Sequence, residues 1–133
     1  LSRVERRVAG LLTAQVAAAR AKDRPGETET SSVVATFQNI ERVTDRKNKI
    51  ISPEGARPTG TLDAKAGAQA LAESRAAMMT ALQNADGVAL GELEATHPVL
   101  GTLDMYHWIV ALGLHDARHA AQIREVGESI SRT

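Results

Sequence analysis

Residues 103–129 read LDMYHWIVALGLHDARHAAQIREVGES, and the reading of this stretch decides the fold. Leu103, Tyr106, Ile109, Val110, Leu112, Leu114, Ile123 and Val126 recur at helical spacing, which predicts one long amphipathic helix over Leu103 to Ser129. Thr102 is the expected N-cap, directly after the turn His97-Pro98-Val99-Leu100-Gly101. Inside the helix His115 and His119 stand four residues apart, so their side chains lie about 40° apart on one face. Gln122 follows on the same side, and Trp108 lies seven residues before His115 on the same stripe.

The same periodicity recurs upstream. Leu62 to Asn84 predicts a second long helix, with Thr61 as N-cap, Asp63 in the first turn and Gly87 ending it. Its apolar members are Leu62, Ala66, Ala70, Ala77, Met78 and Leu82, and the alanines point to close helix packing. Leu1 to Lys22 predicts another helix on Leu1, Val4, Val8, Leu11, Leu12 and Val16, stopped by Asp23-Arg24-Pro25-Gly26. Between them, Ser31 to Asn39 is read as a short helix that charged residues 41–49 could continue, although its β-branched content also permits a strand. Ile51 to Gly60, with two prolines and two glycines, is an irregular extended connection.

These segments make an all-α chain with one domain over residues 1–133. Three long helices and a short segment want a fourth partner to close a bundle. The helical pattern is already running at Leu1, which is not an initiator methionine, so residues before Leu1 are expected. A homodimer could supply the fourth helix instead.

Composition excludes several function classes. Sixteen basic and sixteen acidic side chains cancel, so there is no basic excess for nucleic acid and no nucleic-acid partner is expected. No apolar run approaches the roughly 20 residues of a membrane span, and no signal peptide is visible. Cysteine is absent, which removes disulfides, thiolate ligands and cysteine nucleophiles and fits a cytoplasmic chain.

Two imidazoles one helical turn apart can bind the same divalent ion. The spacing equally suits two polar helix residues, one solvated and one hydrogen-bonded in the core. A catalytic ion needs a third protein ligand and an open position. His107 is a poor third, about 80° round the helix from His115. His97 is expected to serve the turn beside Pro98. Asp116 follows the first histidine where a zincin carries its glutamate, but the spacing assigns it no such role.

The stretch from His97-Pro98-Val99-Leu100-Gly101 through Leu114-His115-Asp116-Ala117-Arg118-His119-Ala120-Ala121-Gln122-Ile123 resembles the C-terminal signature of the DinB-like superfamily. Ser52-Pro53-Glu54 and Arg57-Pro58-Thr59-Gly60 resemble that family's linker, and Leu1 to Leu12 resembles its second helix. The resemblance implies an up-down-down-up four-helix bundle whose first helix is missing from residues 1–133. It implies a divalent metal, zinc or nickel, held by three histidines. Two match His115 and His119, and the third would stand directly before Leu1. Such relatives are thiol S-transferases acting with small thiols, isomerases that depend on a small thiol, or proteins assigned as hydrolases. The resemblance therefore implies a metal-dependent enzyme acting on a small thiol or another small molecule. By the same matching Arg118 would pair with a carboxylate and hold helices together, and Gln122 would line the pocket or bond within the core. The alternative is a non-enzymatic bundle that serves as an oligomerisation or interaction module.

Overall fold

The computed structural model describes residues 1–28, 36–38, 41–47, 51–52 and 54–132. Ser2–Ala21 forms helix α1, whose apolar stripe buries Val8, Ala9, Leu12, Val16 and Ala19. A charged residue shares that stripe: Glu5 is fully buried. A left-handed Asp23 (φ 48°) turns the chain out of α1. Gly26 then pairs with Val88 in an isolated bridge, so close that a Cβ at Gly26 would stand 3.0 Å from the Gly87 carbonyl oxygen.

The expected helix over Ser31 to Asn39 falls largely outside the described residues. Phe37 is described, and is buried with Leu103 and Ala111 in a small second core. Glu41–Thr44 forms a one-turn helix, α2. Residues 54–56 make a 3-10 turn in the connection read as irregular.

Ala64–Asn84 forms α3. Its cap is Asp63, not Thr61: the Asp63 carboxylate accepts the Ala66 N–H at 2.7 Å. Aspartate is a strong N-cap, and its negative charge suits the helix start. The buried face overlaps the one expected: Met78 is buried and Ala66, Ala70 and Leu82 are half-buried. Ser74, Met78, Ala81 and Ala85 face the core, whereas Ala77 is exposed and Leu62 is 59% exposed.

α1 and α3 run parallel. Arg6 pairs with Glu73 at 2.9 Å towards one end, and Arg20 donates to the Asn84 carbonyl at 2.6 Å at the other. Small residues on the contact (Ala9, Ala19, Ala81, Ala85) let the two backbones approach.

A β-hairpin follows that the sequence reading did not contain. β1, Glu94–His97, pairs antiparallel with β2, Gly101–Asp104. Gly101 closes the three-residue loop with φ 81°, the left-handed turn position that favours glycine. The fold is therefore mostly helical with a small two-stranded sheet, rather than purely α.

Met105–Ser131 forms α4. Leu103 belongs to β2 and not to this helix, and the cap is Asp104 in place of Thr102. Asp104 accepts the His107 N–H through Oδ1 at 2.8 Å and faces His107 Nδ1 through Oδ2 at 2.9 Å. α4 runs antiparallel to α1: the hairpin that feeds its start lies by the end of α1, where Gln15 reaches the Glu94 carbonyl at 3.4 Å. Trp108 donates to the Ala95 carbonyl at 3.1 Å and touches both cores. Beyond Gln122 the helix leaves the core, and Ile123 and Val126, expected inside, are 66% and 57% exposed. Among the described residues no helix is long and apolar enough to cross a membrane.

Candidate metal centre

The i, i+4 spacing on α4 brings the two histidine rings together as the helical geometry requires. His115 Nε2 and His119 Nε2 are 3.2 Å apart, with ring centroids 4.6 Å apart in an edge-to-face arrangement. Two ring nitrogens each about 2.0–2.1 Å from one tetrahedral ion would stand about 3.3–3.4 Å apart. The pair fits two corners of such a site. The same distance also fits one Nε2–H donating to the other ring, so the pair can be satisfied without an ion.

Both rings are half-buried on the inner side of α4. Burial lowers the pKa of each. For His115 the neighbouring His119 lowers it further and Asp116 opposes. For His119 the neighbouring Arg118 charge lowers it further. The rings therefore favour the neutral state, the state that can ligate a metal. Arg75 bridges Glu5, in the first turn of α1, to Asp116, which puts that end of α1 on the side of the pair.

A polar cluster that sequence reading missed connects the histidines to the rest of the bundle. Glu5 on α1 accepts from Ser74 Oγ on α3. Arg75 Nη2 lies 2.5 Å from Glu5 Oε1 and 2.6 Å from Asp116 Oδ2 on α4. One guanidinium thus joins carboxylates from two other helices. Asp116 Oδ1 lies 3.7 Å from His115 Nδ1. The signal was present in the pattern: Glu5 sits on the register of Leu1, Val8 and Leu12, and Ser74 on that of Met78, Ala81 and Ala85. A polar residue on a core register marks a buried polar contact.

The other flagged residues lie elsewhere. His97 is the turn residue expected: its Nδ1 accepts the N–H groups of Val99 at 3.1 Å and Leu100 at 3.2 Å, and its ring packs on Trp108. His107 stacks on Phe37 and bonds Thr36 at 3.1 Å. Arg118 does hold elements together: it donates to the carbonyl oxygens of Val43 and Asp45 at the end of α2. Gln122 is half-buried one turn beyond His119.

Among the described residues no three histidine, aspartate or glutamate side chains are grouped to hold a metal. Grooves of about 160 and 420 Å³ lie at the other end of α1, and neither touches the histidine pair. The second is bordered by Tyr106, whose hydroxyl donates to Glu27. Burial, then that carboxylate, pushes the Tyr106 pKa up to about 12.

No family model, curated protein or solved structure matches this chain.

Proposed function

We propose that the chain is a DinB-like helical protein in which His115 and His119 are two ligands of a divalent metal, with zinc or nickel as the ion. The observation that carries the proposal is the convergence of the two Nε2 atoms to 3.2 Å on the half-buried face of α4. In the resembled family the third histidine precedes the segment that begins at Leu1, and that is the end of α1 nearest the pair. The parallel course of α1 and α3, with α4 antiparallel, supports the up-down-down-up arrangement.

An ion held there would act as a Lewis acid, lowering the pKa of a small thiol or of water, which suits a thiol S-transferase or a hydrolase. The chain's own residues do the rest. His115 and His119 offer neutral nitrogens because burial disfavours their charged forms. Arg75 bridges the Glu5 and Asp116 carboxylates, so neither stands unpaired.

The test is elemental analysis of the full-length protein after incubation with zinc or nickel. One ion per chain is expected, lost in His115→Ala and in His119→Ala. Full-length protein that retains no metal under these conditions overturns the proposal. The second reading, a non-enzymatic oligomerisation module, draws on the exposed Ile123, Val126 and Ile130 of α4. It predicts a stable oligomer whose melting is indifferent to chelator, against a chelator-sensitive transition for the metal protein.

A further inference from the structure

Two polar atoms beside the histidine pair are buried and have no hydrogen-bond partner among the described residues: His115 Nδ1 and Asp116 Oδ1. They are 3.7 Å apart, about 0.5 Å beyond the long end of the N–H···O range. Each is what the other lacks. A carboxylate oxygen accepts, and a neutral imidazole nitrogen can carry the proton to donate. Leaving either unmade in the interior is unfavourable, so a small ring or carboxylate rotation that closes the gap is favoured.

Asp116 is also held from behind. Its other oxygen, Oδ2, accepts Arg75 Nη2 at 2.6 Å, and Arg75 is anchored on the buried Glu5 at 2.5 Å. Oδ1 is the oxygen left to face His115.

We infer that Asp116 is a positioning residue that accepts the Nδ1 proton of His115 and so fixes His115 Nε2 as the bare, ligating nitrogen, with Glu5 and Arg75 holding the carboxylate in place. The inference rests on the metal-binding reading for its consequence, but the tautomer it assigns is a property of the metal-free chain. With the proton on Nδ1, His115 Nε2 presents its lone pair towards His119. A carboxylate behind a ligating histidine fixes ring orientation and raises ligand basicity, and losing it typically costs about 10–100-fold in metal affinity.

Asp116→Asn separates this role from a structural one. Arg75 only donates, so it holds the asparagine carbonyl oxygen, and the amide NH2 is then left facing His115 Nδ1. That geometry makes Nδ1 an acceptor and moves the ring proton to Nε2. The experiment is 15N–1H NMR of the His115 ring in the metal-free full-length protein, paired with nickel titration against a competing chelator and a thermal melt. The expected result is the Nδ1–H tautomer in the parent, the Nε2–H tautomer in Asp116→Asn, and nickel affinity about 10–100-fold weaker at little changed Tm. Asp116→Glu, which keeps an acceptor, is expected to restore Nδ1–H in part. An Nε2–H tautomer in the parent, or an unchanged tautomer in Asp116→Asn, overturns the inference. Absence of nickel binding in the parent overturns the metal reading instead, and the tautomer measurement still decides for or against Asp116.

Discussion

His97 shows how a single side chain earns its place through its protonation state. Nδ1 receives two backbone N–H groups at the hairpin loop, so the ring must be unprotonated there. Burial lowers its pKa below the usual histidine value. A lowered histidine pKa means that the unfolded chain binds the proton more readily than the folded one. The stability from His97 is therefore fully present above the unfolded pKa of about 6.5 and is lost as pH falls from there through the folded value. Denaturant unfolding of metal-free protein between pH 8 and pH 5 should show this fall. His97→Gln should have a shallower pH profile, and an identical slope would remove His97 from the account. His115 and His119 shift in the same direction, so the difference between the two profiles is the informative quantity.

Between elements, the contact that matters most is the Glu5–Arg75–Asp116 bridge across α1, α3 and α4. Its members are unequal in burial: the Glu5 side chain is 1% exposed and that of Arg75 55% exposed. That asymmetry sets the ranking of mutations. Arg75→Ala leaves a buried carboxylate with only the Ser74 hydroxyl, and breaking a buried pair in this way costs about 3–5 kcal/mol. Glu5→Gln leaves a guanidinium that water can still reach, so the cost should be nearer 1–2 kcal/mol. Denaturant melts of both variants check the order, and a Glu5→Gln loss equal to that of Arg75→Ala would show that the bridge is not organised around a buried acid. The α4 cap belongs to the same scale. Asp104→Ala should cost about 1 kcal/mol by removing the bond to the His107 N–H.

Across the molecule, stability is concentrated on the α1–α3 side. Leu12 is 1% exposed at the centre of the main core, and Leu12→Ala should cost about 2–5 kcal/mol. The far half of α4 is different. Ile123, Val126 and Ile130 are exposed, so Ile123→Gln should change the stability of the monomer by no more than about 0.5 kcal/mol. Unfolding of both variants at two protein concentrations is the measurement. A large, concentration-dependent loss in Ile123→Gln would mean that this face is covered by another copy of the chain.

Helical periodicity determined, from the sequence alone, the three long helices and the meeting of His115 with His119, because each depends on residues within one or two turns. Irregular composition likewise marked the 51–60 connection. Caps were less legible: Thr61 and Thr102 compete with Asp63 and Asp104 close by in the chain, and only the register of the first N–H groups chooses between them. The hairpin was not legible at all, since four-residue strands are too short to show alternation and are held by contacts such as Trp108 to Ala95. Tertiary packing also decided that Glu5 is buried, that Arg75 spans three helices, and that Asp116 faces His115. The Arg75 contacts join residues 41 and 70 positions apart, brought together by how α1, α3 and α4 stack, and no local spacing encodes that distance.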